Sequence, residues 1–178
     1  MFKRKYLEDY IIEEYINEKG RIKTRPVYVG GYFDLSPALS ARDKLLIPIA
    51  SILSIAAIIC AFIPLTLSSM LWYVVVPFVF NLLPLYYVIA ASVSLYFEKN
   101  PMMREKAEKI AKRLPIGSLI TLILSASSFI GFIVATFIYW GSMLAADILF
   151  GAMSLFLLVS SAFVFSKCRN MTTNKIQQ

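Results

Sequence analysis

LLIPIASILSIAAIICAFIPLTLSSMLWYVVVPFVFNLLPLYYVIAASVSLYF, residues 45–97, contains no charged side chain. A helix rises 1.5 Å per residue, so about 20 apolar residues cross the ~30 Å hydrocarbon core of a bilayer. The run is long enough for two crossings. Residues 114–166 repeat the pattern with a single ionisable group, Asp147. The reading is four spans, at residues 45–64, 71–97, 116–138 and 143–166. The second has 27 residues, roughly 40 Å as a straight helix, so it has to tilt, bend or reach into the headgroups.

Composition points the same way. Of 178 residues, 58% are apolar and 16% charged, where a soluble domain carries about 25% charged residues. Mean hydropathy is +0.69. The expected fold class is an all-α membrane protein, with four transmembrane helices in an up-down bundle. A small β-hairpin-like segment precedes them, and an amphipathic interfacial linker helix separates spans two and three. The chain then divides into an N-terminal segment (1–43), the bundle (44–166, including the loop 98–115) and a tail (167–178).

In the N-terminal segment, Asp9-Tyr10-Ile11-Ile12-Glu13-Glu14-Tyr15-Ile16 and Arg21-Ile22-Lys23-Thr24-Arg25-Pro26-Val27-Tyr28-Val29 are rich in β-branched and aromatic residues. They flank Asn17-Glu18-Lys19-Gly20, so the stretch reads as a hairpin. The competing reading is an amphipathic helix, from Leu7, Ile11 and Tyr15 at i, i+4 and i+8. Ser36-Pro37 reads as a helix start running through Arg42 and Lys44 into span one. In the loop, Asn100-Pro101 reads as another start. Beyond it Met103, Ala107, Ile110, Ala111 and Leu114 share one face, while Arg104, Lys106, Lys109, Lys112 and Arg113 occupy the remainder. That pattern suits a helix lying on a membrane surface, with anionic lipid headgroups as its partners.

All eighteen Lys and Arg residues fall in three segments: nine in 1–44, six in 98–113 and three in 167–178. The positive-inside rule makes those segments cytoplasmic and the loops 65–70 and 139–142 external. Trp72-Tyr73 and Tyr139-Trp140 lie beside the external loops, where aromatic belt residues belong. The location expected is the plasma membrane, multi-pass, with both termini cytoplasmic. Met1-Phe2-Lys3-Arg4-Lys5 resembles a signal-peptide n-region, but acidic residues occupy the place of the apolar core, so no cleavable signal is expected.

Four positions inside the spans carry the polar chemistry. Asp147 is the one intramembrane carboxylate, by default a functional group, although it also suits the first turn of a helix near the outer boundary. In span two, Pro77 and Pro84 deprive the carbonyls of Tyr73 and Phe80 of their helical donors, and Asn81 lies one turn beyond Pro77. Span three repeats small residues at Ser127, Gly131 and Ala135, the spacing that lets another helix approach closely. Pro48-Ile49-Ala50-Ser51 resembles Pro115-Ile116-Gly117-Ser118 at an offset of 67 residues. A duplicated helical hairpin explains that match, as does the narrow residue usage of apolar spans.

The function classes left out are many. The chain has no histidine, and its two cysteines, Cys60 and Cys168, stand far apart, so no metal site, haem ligand set or thiol redox pair is expected. No cofactor is implied, and the net charge of +7 is explained by orientation rather than by nucleic acid. Span serines lack a partner to activate them, so no catalytic residue is assigned. The expectation is a non-catalytic accessory or scaffolding subunit that packs against another membrane protein or itself. The alternative is a small transporter or channel using the polar, proline-kinked second span.

Overall fold

This computed structural model describes residues 4–16, 21–36, 39–62, 67–98, 101–142 and 145–175. Outside them lie the expected hairpin turn at 17–20, Pro37, the end of span one at 63–64, Asn100 and the start of span four at 143–144. Four helices are long and apolar enough to cross a membrane, Ala41–Ala61, Trp72–Phe97, Arg104–Ile138 and Ala145–Cys168. The chain is a small membrane protein.

The first helix is α1 (Ala41–Phe62). It starts later than Ser36, because Ser40 caps it: the Asp43 amide donates to Ser40 Oγ at 3.1 Å, a bond that satisfies one orphan amide of the first turn. Ser36 instead ends a strand. A short helix, α2 (Leu67–Met70), precedes the second crossing. That crossing comes in two pieces, α3 (Trp72–Phe80) and α4 (Leu82–Phe97), which meet at Asn81.

The next helix, α5 (Arg104–Ile138), runs unbroken for 35 residues, about 52 Å. This corrects the expectation of a separate linker helix on the membrane surface. The buried positions Ala107, Ile110, Leu114, Gly117, Ser118, Thr121, Ser125 and Ser128 continue one 3-to-4-residue period straight through Pro115. The apolar face of the linker is therefore in phase with the packed face of span three, and it packs on protein. Ala107, Ile110 and Leu114 join a cluster with Leu35, Met102, Val164, Cys168 and Met171. Last comes α6 (Ala145–Cys168). Cys168 is thus the final, fully buried residue of a helix and not part of a tail.

Helix α1 packs against α4 and α6, and α5 packs against α3, α4 and α6. Two apolar clusters form inside. One holds Ile47, Val88, Leu95, Leu114 and Val164, the other Ile58, Val74, Phe78, Leu85, Phe150 and Leu157. Phe78 and Phe150 meet at 4.9 Å between ring centroids.

Strands gather at one end. β1 (Tyr10–Ile16) and β2 (Ile22–Tyr28) form an antiparallel hairpin that sets Tyr10 opposite Tyr28 and Ile16 opposite Ile22, consistent with the hairpin reading. A second sheet has the order β4-β3-β5, from β3 (Tyr32–Ser36), β4 (Met102–Met103) and β5 (Thr172–Lys175), with both pairings antiparallel. It ties together the segment before α1, the link between α4 and α5, and the segment after α6. Lys167 and Asp43, 3.2 Å apart, join the end of α6 to the start of α1 beside it.

Candidate functional site

Asn81 is the break in the second crossing, and it is fully buried. Its Nδ2 donates to the Pro77 carbonyl at 3.0 Å. Its Oδ1 is buried without a hydrogen-bond partner among the described residues. The backbone opened by Pro77 is met by α5. Ser128 Oγ donates to the Val74 carbonyl at 3.0 Å, and a Cβ at Gly131 would stand 3.2 Å from the Tyr73 carbonyl oxygen. Pro84 is buried against the same helix, its own carbonyl 3.5 Å from where a Gly117 Cβ would be.

Asp147 is fully buried in the first turn of α6. Its Oδ1 accepts from the Ser68 amide at 2.8 Å and from Ser68 Oγ at 2.7 Å. Ser68 is the second residue of α2, so its amide has no partner within that helix; a carboxylate from α6 supplies one. The bond pins the α1–α3 connection to the start of α6. Asp147 and Asn81 thus hold different partners, Ser68 and the Pro77 carbonyl.

Of the small residues singled out in span three, Gly131 and Ala135 are buried while Ser127 is exposed. The inward serine is its neighbour Ser128. Period 3.6 does not keep a strict four-residue stripe on one face for three steps, and here the face shifts by one residue at its start.

The spans also hold a hydroxyl belt that serine counts alone do not reveal. Along α1, Ser51 and Ser54 lie between Ile47 of one apolar cluster and Ile58 of the other. Along α5, Ser118, Thr121 and Ser125 lie between Leu114 and Ala135, and along α6, Ser160 and Ser161 separate Leu157 from Val164. Each hydroxyl has a carbonyl of its own helix. The belt is bridged between helices by Ser54 and Ser160 at 2.6 Å and by Ser125 and Ser161 at 3.1 Å. A cavity of about 10 Å³ among Ser51, Ser54, Ser118, Thr121, Ser160 and Ser161 is close to the volume needed for one water.

The basic residues of the former linker divide. Arg104 fastens the hairpin: its amide donates to Tyr28 Oη at 3.1 Å, and its guanidinium pairs with Glu108 at 3.0 Å and Asp9 at 3.9 Å. Lys106 pairs with Glu98, and Lys109 with Glu105. Arg113 stands over the Tyr87 ring, 5.8 Å from its centroid. Lys112 lines a different groove, with Glu108 and Arg169.

The hairpin has two unlike faces. Cross-strand partners share a face and successive residues alternate. One face therefore carries Ile11, Glu13, Tyr15, Lys23, Arg25 and Val27, with Glu13 and Arg25 paired at 3.2 Å and Arg25 over Tyr15. The other carries Ile12, Glu14, Ile16, Ile22, Thr24 and Pro26, of which Ile12, Ile16 and Ile22 are 71%, 74% and 69% exposed.

No family model, curated protein or solved structure matches the chain. What it can do follows from its own side chains. Among the described residues no three Cys, Asp or Glu side chains converge where a metal ion could be held. Among the described residues the belt hydroxyls have backbone carbonyls and each other within hydrogen-bond distance. Polar contacts between helices run through Ser54 and Ser160, Ser125 and Ser161, Ser128 and the Val74 carbonyl, and Ser68 and Asp147.

Proposed function

We propose that this chain is a non-catalytic accessory or scaffolding subunit of a larger membrane complex, an up-down four-helix bundle whose hairpin docks on a partner. The up-down arrangement is supported by the contacts among the helices together with the two end ties, Ser68 to Asp147 and Lys167 to Asp43. All eighteen basic residues fall in residues 1–44, 98–113 and 167–178, the three segments that contribute the strands, which supports both termini being cytoplasmic and the plasma membrane as the location.

The observation that carries the docking role is the exposed Ile12, Ile16 and Ile22 face. A two-stranded ribbon is marginal in water by itself, and three large exposed isoleucines on one of its faces, with the Glu14–Thr24 pair between Ile12 and the Ile16–Ile22 pair, suit an interaction surface. The base of the ribbon, by contrast, is held by Asp9, Tyr28 and Arg104. Replacing the three isoleucines by threonine keeps β-branching and removes the apolar payload. The triple variant should lose co-purifying membrane partners while its own melting temperature stays within a few degrees of wild type. Unchanged co-purification would end this reading.

The transporter reading draws on one observation, the unpartnered, buried Asn81 Oδ1 beside the opened backbone of the second crossing. Against it stands the small central space of about 10 Å³. Asn81→Leu should leave partner binding intact and alter stability by about 1 kcal/mol. Specific solute uptake by the purified wild-type chain in vesicles, abolished in a folded Asn81→Leu protein, would favour the transporter.

A further inference from the structure

We propose that the cleft between α4 and the charged end of α5 binds the phosphate of one anionic phospholipid headgroup. The cleft, about 240 Å³, is walled on one side by Lys106, Lys109, Ile110 and Arg113 and on the other by Ala90, Ala91, Ser94 and Glu98. Positions 106, 109 and 113 follow at i, i+3 and i+7, so their cations stack up one helix face over about 10 Å. Three positive charges thus meet two carboxylates, Glu98 on α4 and Glu105 beside Lys109 on α5. The volume is below the ~300–1,000 Å³ of drug-sized ligand pockets and suits a headgroup.

Small side chains on α4 keep the cleft open. Ala90 and Ala91 line the wall with no more than a methyl group each. Glu98 and Glu105 hold Lys106 and Lys109 in place, so the lysines are pre-positioned by carboxylates that a phosphate can outcompete through charge-assisted bonds to several donors at once. Arg113 is oriented by the Tyr87 ring, which leaves its planar fork directed by stacking rather than by a carboxylate.

What makes the source a lipid rather than free phosphate is the surface that continues from the cleft. One and two turns before Ala90 along α4, Tyr86, Tyr87 and Leu83 are exposed, an apolar track for the acyl chain of a lipid whose headgroup sits among the cations. A soluble anion would use the charges and ignore the track. This site is independent of the docking role of the hairpin, which lies on other residues.

The test is lipid binding to the purified full-length protein in neutral detergent, read by native mass spectrometry during titration with phosphatidylglycerol, phosphatidylcholine or inorganic phosphate. Wild type should retain one phosphatidylglycerol preferentially over phosphatidylcholine, and equimolar inorganic phosphate should not displace it. At about 1 kcal/mol per cation near an anionic headgroup, Lys109→Gln with Arg113→Gln should weaken binding about thirty-fold. Lys112→Gln with Arg169→Gln removes the same charge outside the cleft and should leave it intact. Ala90→Phe fills the cleft from the uncharged wall and should also abolish retention, which keeps the proposal testable even where the charge variant misfolds. Equal losses in both charge pairs, equal retention of phosphatidylcholine, undiminished binding to folded Ala90→Phe, or displacement by inorganic phosphate would each overturn the assignment.

Discussion

Removing the carboxylate of Asp147 tests whether the charge within span four is a structural tie. In Asp147→Ala, the Ser68 amide and hydroxyl lose their common acceptor in a fully buried setting. Hydrogen bonds to a charged group contribute about 1.5–3 kcal/mol each, and a buried donor left unpaired costs about 1–3 kcal/mol. The hydroxyl can turn to a backbone carbonyl, whereas the amide cannot, so about 3 kcal/mol is the expected loss. For a chain of this size that corresponds to a fall of roughly 6–12 °C in melting temperature. Asp147→Asn keeps an acceptor at Oδ1 without the charge and should lose only about 1 kcal/mol, since charge-assisted bonds are about twice as strong as neutral ones. Ser68→Ala should fall between. The assay is thermal unfolding of purified protein in detergent, with Asp147→Ala and Ser68→Ala combined in a double-mutant cycle. The pair should be coupled by about 1–2 kcal/mol, as residues sharing a hydrogen bond are. Strictly additive losses, or an Asp147→Ala protein that melts with wild type, would refute the tie.

Two further substitutions follow from the helix contacts and the thiols. Gly131→Ala brings a methyl group to 3.2 Å from the Tyr73 carbonyl oxygen and should lower stability by about 1 kcal/mol through overpacking, while Ser127→Ala on the exposed face should be silent in the same melt. Cys168 is fully buried and Cys60 half-buried, so the parent chain should resist an impermeant maleimide until it is unfolded. Asn170→Cys, exposed just beyond α6, should then react only when the cytoplasmic side is opened, and Gly141→Cys, with open space around it, should react in intact cells. Labelling of Asn170→Cys from outside would reverse the proposed orientation.

The four long helices were legible because charge is excluded over whole stretches, a signal that survives any local ambiguity. The hairpin was legible for the opposite reason, being built from residues close in sequence with paired β-forming runs. The second sheet was not. Its strands Tyr32–Ser36, Met102–Met103 and Thr172–Lys175 come from three distant segments, each too short to show alternation, and exist only through their pairing. The unbroken course of α5 was readable in principle, since Ala107, Ile110, Leu114 and Ser118 keep one period; Pro115 drew attention as a boundary, although helices in membrane proteins accommodate proline. The partners of Asp147 and of the hydroxyl belt required knowing which helices touch. Ser54 meets Ser160 across 106 positions of sequence, and nothing local announces such a pair.

The second sheet also sets an order on assembly. Its central strand, β3, precedes the first long helix, its neighbour β4 emerges between the second and third crossings, and β5 follows the fourth. During synthesis β3 therefore waits with one edge unpaired until the whole membrane portion has been made. The closing strand can reach it only if α6 ends on the same side of the bilayer as α1 begins. A chain that skipped one crossing would strand β5 on the far side, with β3 left bare and open to recognition as incomplete. The sheet thus records, in a handful of backbone hydrogen bonds, that an even number of crossings separates its first strand from its last.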